Sequence, residues 1–243
     1  MLSLDNLTIT YERHPAVHHV SGIFTEGSLT ALVGPNGAGK SSLIKALAGL
    51  LKPSGGCIDR HGLAPSAIAY LPQMAAIDDS FPMPVLDVVL MGHWRRAGAL
   101  RALGKAAVEA AIEALVAVGL EGFEKRRFSS LSVGQQQRAL FARVMVADCP
   151  IILLDEPFSA IDTRTVEDLL VLIHRWQAEG RTIIAVLHDM AQVRAHFPQS
   201  LLLARRLVGW GPTAEVLSPA NLEAARMMGE AWDDHAEPCA GAA

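Results

Sequence analysis

The sequence predicts an α/β fold, a buried parallel sheet flanked by helices and interrupted by an inserted helical block. Two apolar runs, Ile151-Ile152-Leu153-Leu154 and Thr182-Ile183-Ile184-Ala185-Val186-Leu187, are continuous rather than alternating, as strands covered on both faces are. A third, Leu29-Thr30-Ala31-Leu32-Val33, runs into a glycine-rich loop and then into Leu43-Ile44-Lys45-Ala46-Leu47-Ala48, which reads as a helix. Between these, residues 75–147 change character and carry helical rather than strand periodicity.

The glycine-rich loop is Gly34-Pro35-Asn36-Gly37-Ala38-Gly39-Lys40-Ser41-Ser42. Strand, glycine loop, then Gly-Lys-Ser opening a helix is the P-loop arrangement. Glycines let the backbone wrap closely around phosphate, where side chains would block the approach. Loop N–H groups and the helix N-terminus then face the anion. Lys40 can reach the β- and γ-phosphates, and the Ser41 hydroxyl can ligate Mg²⁺. The loop therefore predicts a nucleoside triphosphate, without saying what its energy drives.

With 243 residues the chain fits one large domain, or one domain with a sizeable insertion. Its apolar fraction of 51% is high, yet no run approaches the roughly 20 apolar residues that span a bilayer. The N-terminus lacks the basic and apolar regions of a signal peptide. A formal net charge of −4 argues against a nucleic-acid partner. Cys57, Cys149 and Cys239 are scattered and form no C-x-x-C pair, which fits a reducing compartment without disulfides or structural zinc.

In chain order, residues 2–11 alternate apolar and polar, with a slip near Asn6, and predict a half-buried strand. Val17–Phe24 predicts a second, so that an antiparallel edge precedes the P-loop strand. Cys57–Asp59 and Ala67–Leu71 are further strand candidates, the latter ended by Pro72-Gln73. Val85–Met91 begins a helix after Phe81-Pro82-Met83-Pro84. In 103–118, Val108, Ala111, Ile112, Leu115 and Val116 share one helical face, and Gly119 suits the residue past its end. Ser132 can cap a helix running from Gly134 to Ala147, and Thr163–Glu179 predicts another, stopped by Gly180. Residues 189–196 form a short helix. Leu201–Ala204 and Leu207–Trp210 read as an edge hairpin turning at Arg205-Arg206, followed by a C-terminal helical stretch. The small, polar tail 233–243 reads as disordered. The expected division is a single domain over 1–232, with a core of 1–74 and 148–232 and a helical subdomain of about 75–147.

The run Ile151–Leu154 ends in Asp155-Glu156-Pro157, the form of a Walker B strand. It delivers Asp155 to the Mg²⁺ region and Glu156, one residue on, as a general base for the attacking water. Leu131-Ser132-Val133-Gly134-Gln135-Gln136-Gln137-Arg138 precedes that strand, Gln73 follows Tyr70-Leu71-Pro72, Ser159-Ala160-Ile161-Asp162 follows Glu156, and His188 follows Val186-Leu187. In this ordered set the chain resembles the ATP-binding subunits of ABC transporters over nearly its full length. The resemblance implies a P-loop NTPase core of ABC type, with ATP and Mg²⁺ as cofactors. It implies two copies paired head to tail, with Ser132, Gly134 and Gln135 of one signature facing the nucleotide of the other. His188 would hold the γ-phosphate and the water. Gln73 would sense Mg²⁺ and couple the core to the helical block, with Ser41 and Asp155 as further metal contacts. Tyr11 stands where the family stacks an aromatic on adenine; a core aromatic is the competing reading. Val133 departs from the family's glycine, and the expectation is that Ser132 and Gly134 keep the phosphate contacts.

A single cassette without membrane helices or long coiled coil is similar to an importer subunit docked on an integral-membrane permease at the cytoplasmic face of the inner membrane. The region from Ile77 to Trp94 is expected to form part of the docking groove. The stretch Asp78-Asp79-Ser80-Phe81-Pro82-Met83-Pro84-Val85-Leu86-Asp87-Val88-Val89-Leu90-Met91-Gly92 resembles the zinc and manganese importer subfamily, as does Leu187–Arg194. That resemblance favours a metal ion, zinc first and manganese second, and indirectly a periplasmic or surface metal-binding protein. Iron–siderophore, haem and cobalamin importers, and a soluble cassette for iron–sulfur scaffold assembly, are the alternatives. Asp233, Asp234, His235, Glu237 and Cys239 in the tail read as a polar extension rather than a metal sensor.

Overall fold

The chain runs through β1 (Leu2–Tyr11), β2 (His14–Phe24), β3 (Leu29–Val33), α1 (Lys40–Leu47), β4 (Gly55–Asp59) and β5 (Ile68–Leu71). It continues through α2 (Val85–Leu90), α3 (Lys105–Ala117), α4 (Val133–Ala147), β6 (Ile151–Asp155), α5 (Thr163–Ala178), β7 (Thr182–Val186) and α6 (Met190–His196). It ends with β8 (Gln199–Ala204), β9 (Arg206–Pro212), α7 (Thr213–Val216) and α8 (Pro219–Glu230). This computed structural model describes residues 1–11, 14–74, 82–94, 98 and 103–230. Asp78–Phe81 and the tail from Asp233 lie outside the described residues, and so does the start of the expected docking region. Among the described residues, no helix is long and apolar enough to cross a membrane.

The chain divides into two compact units, Met1–Pro65 with Gln177–Ala243, and Ser66–Trp176. In the first, β3 lies between β7 and β8, parallel to both, and β9 returns antiparallel on β8. All residues of β3 and β7 are buried, as their continuous apolar runs require. The N-terminal strands are antiparallel as expected, but β2, β1 and β4 form a sheet of their own rather than an edge of the parallel one. The reason is the half-apolar pattern of β1: Leu2, Leu4, Leu7 and Ile9 are all buried, so one face needs a cover. Part of that cover is the Phe24–Trp210 pair, with ring centroids 4.4 Å apart. The slip at Asn6 is a bulge, with Asn6 at φ 49° and the pairing register shifted between Leu4 and Leu7.

In the second unit, β5 and β6 pair in parallel. α2, α3 and α4 pack together as helices. α3 ends as its sequence predicts, with Gly119 N–H donating to Val116 O and Leu120 N–H to Leu115 O. Phe141 of α4 stacks on Trp176 of α5, at 5.7 Å between centroids. Gly92 sits so close to α4 that an added Cβ would lie 2.3 Å from Arg143 O.

Candidate functional site

The first unit carries the P-loop. Two of its glycines are sterically obligatory: an added Cβ would lie 1.9 Å from Leu203 O at Gly34 and 2.1 Å from Ala16 O at Gly39. Gly39, at φ 91°, caps α1 and turns the helix N-terminus into the loop. Pro35 O accepts from Ala38 N–H at 3.2 Å, which tightens the turn over Asn36 and Gly37. Lys40 is 6% exposed, and its Nζ donates to Gly34 O and Pro35 O, both at 2.9 Å. That geometry holds the ammonium group on the loop's own carbonyls at the start of α1, where its charge and the helix N-terminus together make a fitting cradle for polyphosphate.

The hairpin turn between β8 and β9 braces this loop, a role that sequence reading did not assign. Arg205 N–H donates to Ala38 O at 3.0 Å, and Arg205 O accepts from His18 N–H at 2.7 Å. Ser42 Oγ donates to the Tyr11 hydroxyl at 3.4 Å, so the end of β1 lies beside α1. Tyr11 is 49% exposed, which rules out the core-aromatic reading. β3 and β7 pair with Leu32 level with Val186, so Gly34 and His188 leave the sheet at the same level. His188 is exposed there, and the next residue, Asp189, caps α6 by accepting from Ala191 and Gln192 N–H.

The second unit carries the carboxylates. β5 pairs with β6 so that Leu71 is level with Leu154, which brings Gln73 opposite Glu156. Gln73 Nε2 donates to Glu156 Oε2 at 2.8 Å, and Ser159 Oγ donates to the same oxygen at 3.2 Å. Glu156 has φ 50°, an uncommon conformation for a non-glycine residue and one often found at working sites. Asp155 is 1% exposed, and the Tyr70 hydroxyl donates to its Oδ2 at 3.2 Å. Burial, and then the Asp155 charge, push the Tyr70 phenol far above its ordinary value, so it stays a proton donor. Ser159 was quoted in the ordered motif set without a role, and Tyr70 was not singled out as a site residue. The signal for Tyr70 was a lone tyrosine in the otherwise aliphatic strand Ile68–Leu71.

The signature forms the start of α4. Ser132 caps it through a capping box: its Oγ accepts from Gln135 N–H at 3.3 Å, and Gln135 Oε1 accepts from Ser132 N–H at 3.1 Å. Val133 is 43% exposed, and Gly134 has ordinary van der Waals room toward Thr165 and Asp162. Asp162 accepts from Thr165 N–H at 3.0 Å and from Thr165 Oγ1 at 2.8 Å. These bonds, with a smaller contribution from the Arg138 charge, hold its carboxyl below the usual carboxylate range. Arg138 ties three helices, donating to Val118 O at 3.0 Å, Thr165 Oγ1 at 3.4 Å and Asp168 Oδ2 at 2.6 Å. Among the described residues no cluster of three or more His, Cys, Asp or Glu could hold a metal ion by itself.

The fold and these residue sets define a P-loop ATPase. The family profile described as "ABC transporter" matches residues 17–159, more than half of the chain. The manganese transport system ATP-binding protein MntB of Bacillus subtilis is 39% identical over 226 residues, covering 91% of this chain and 90% of that protein. The zinc transport system ATP-binding protein TroB of Treponema pallidum is 36% identical over 228 residues, covering 92% and 86%. A solved ABC transporter in an inward-facing conformation superposes with a TM-score of 0.82 at 32% identity, covering 93% of this chain and 88% of that one. The chain belongs to the ABC transporter family, as an ATP-binding subunit that hydrolyses ATP.

Proposed function

We propose that this subunit powers an importer for a metal ion, manganese or zinc. It would lie at the cytoplasmic face of the membrane, bound to an integral-membrane permease and served indirectly by a metal-binding protein outside. The names of the relatives support the cargo class and carry both metals. The helical block of about 75–147 is the part assigned to the permease, and the core of 1–74 and 148–232 the part assigned to ATP.

In this reading Gly34–Ser42 hold the phosphates, with Lys40 as the counter-charge, and Tyr11 stacks on adenine. Hydroxyl and carboxylate oxygens suit a hard cation, so Ser41 and Asp155, with Gln73, would hold Mg²⁺. When bound, Mg²⁺ supplies charge neutralisation at the phosphate oxygens. Glu156 accepts the proton of the attacking water. Gln73 and Ser159, by fixing one carboxylate oxygen, leave its direction defined. His188 orients the γ-phosphate and the water. A second copy, head to tail, supplies Ser132, Gly134 and Gln135 across the nucleotide; the exposed, capped start of α4 supports that role. The observation that carries the hydrolytic assignment is the convergence of Gln73 and Ser159 on Glu156 Oε2.

The cargo is tested in cells lacking this subunit. Under chelation their growth is expected to fail and to recover with added manganese or zinc, and the metal that rescues at the lower concentration ranks the two. Rescue by an iron chelate alone transfers the reading to the siderophore class.

A further inference from the structure

We propose that Tyr70 is a positioning residue for the Asp155 carboxylate and sets how that carboxylate meets a divalent cation. The inference rests on the reading that Asp155 holds Mg²⁺.

Asp155 is the buried end of β6, and a carboxylate removed from water needs donors. The Tyr70 hydroxyl supplies one, at 3.2 Å to Oδ2. A leucine or phenylalanine at this place in β5 would fill comparable space; the hydroxyl adds one bond to one chosen oxygen. The main chain of Tyr70 is also tied, because Arg143 Nη2 donates to its carbonyl at 3.5 Å. Arg143 belongs to α4, the helix capped by Ser132, so the tyrosine is anchored to the same helix that carries the signature. Three residues on, Gln73 holds Glu156 at 2.8 Å. The short segment 70–73 thus grips both carboxylates, Asp155 through a phenol and Glu156 through an amide. A donor on one oxygen fixes the carboxylate plane and the direction of its remaining lone pairs. Outer partners of metal-ligating carboxylates act in this way, and their loss weakens metal binding.

The test uses Mn²⁺ as the probe cation on the full chain with a non-hydrolysable ATP analogue, read by electron paramagnetic resonance. Tyr70→Phe is expected to weaken Mn²⁺ binding by about tenfold and to leave nucleotide affinity in EDTA unchanged. Asp155→Asn is measured alongside. A large loss in Asp155→Asn with none in Tyr70→Phe overturns the role of Tyr70. No loss in either variant overturns the reading of Asp155 instead. An equal loss of nucleotide affinity in EDTA marks general damage and also overturns the proposal. A second measurement does not depend on the phenylalanine variant folding. The chain has 2 tyrosines, so 3-fluorotyrosine labels Tyr11 and Tyr70 alone, and Tyr11→Phe assigns the two ¹⁹F resonances. Asp155→Asn is expected to move the Tyr70 resonance and leave that of Tyr11 in place. A Tyr70 resonance that does not move overturns the contact.

Discussion

At the scale of single residues, the glycines of the P-loop are not equivalent, and the difference is steric. An alanine at Gly39 would press its Cβ to 2.1 Å from Ala16 O, a backbone atom that cannot turn aside. At Gly37 nothing lies within 4 Å, and only the positive φ of 76° opposes a side chain. Gly37→Ala is therefore expected to cost about 1 kcal/mol of folding stability, and Gly39→Ala about 3 kcal/mol or more. Denaturant unfolding of the two variants checks the order; equal losses would show that Ala16 gives way. Glu156 is the second residue-scale case. Glu156→Gln keeps the side-chain volume and removes the proposed base, so ATP turnover should fall by about 10²-fold or more with nucleotide affinity kept. Steady-state hydrolysis and equilibrium binding on the same preparation separate the two effects.

At the scale of elements, helix starts do the positioning. Ser132 both caps α4 and is assigned to the nucleotide of a second copy. Ser132→Ala removes the bond from Gln135 N–H and is expected to cost about 1 kcal/mol, while ATP turnover falls further than that loss of folded protein explains. Thermal unfolding beside turnover measurements tests it. Asp162 plays the same part at the start of α5, and its environment makes a pH prediction. Bonds from Thr165 depress its folded carboxyl below the value in the unfolded chain. The stability it contributes is thus fully present above the ordinary carboxylate range and is lost as pH falls through the depressed folded value. Asp162→Asn should flatten the acid limb of the stability curve and leave the alkaline limb unchanged, as read by unfolding across pH.

At the scale of the whole molecule, the chemistry is shared out along the chain. The P-loop, Tyr11 and His188 belong to the unit of residues 1–65 and 177–243, and Gln73, Ser132, Asp155 and Glu156 to the unit of 66–176. The proposed assembly is the head-to-tail pair. Glu156→Gln with ATP is expected to run as a dimer on a sizing column and as a monomer without ATP; a variant that stays monomeric with ATP counts against it.

Much of this was legible in the sequence because it is local chemistry. Continuous apolar runs point to β3, β6 and β7, since strands buried on both faces lack polar alternation. Gly34–Ser42 and Asp155-Glu156 carry their meaning in residue type and spacing, as does the helix cap at Ser132. The slip at Asn6 was visible as a break in alternation and became a bulge. Other features have no local signature. That β1 and β2 join β4 in a separate sheet depends on which apolar face finds a cover, and that is decided by partners far away in the chain. That Gln73 meets Glu156, and that Gly34 leaves level with His188, depends on parallel register, which is set between strands separated by a long crossover. Tyr70 on Asp155 and the Arg205 main chain behind Ala38 are contacts of the same kind. The sequence by itself determined the residues of the proposed phosphate cradle and carboxylate pair, because their chemistry is written in side chains and glycine. Only the tertiary structure decided which donor holds which carboxylate, because that follows from strand register and packing rather than from any residue's own preference.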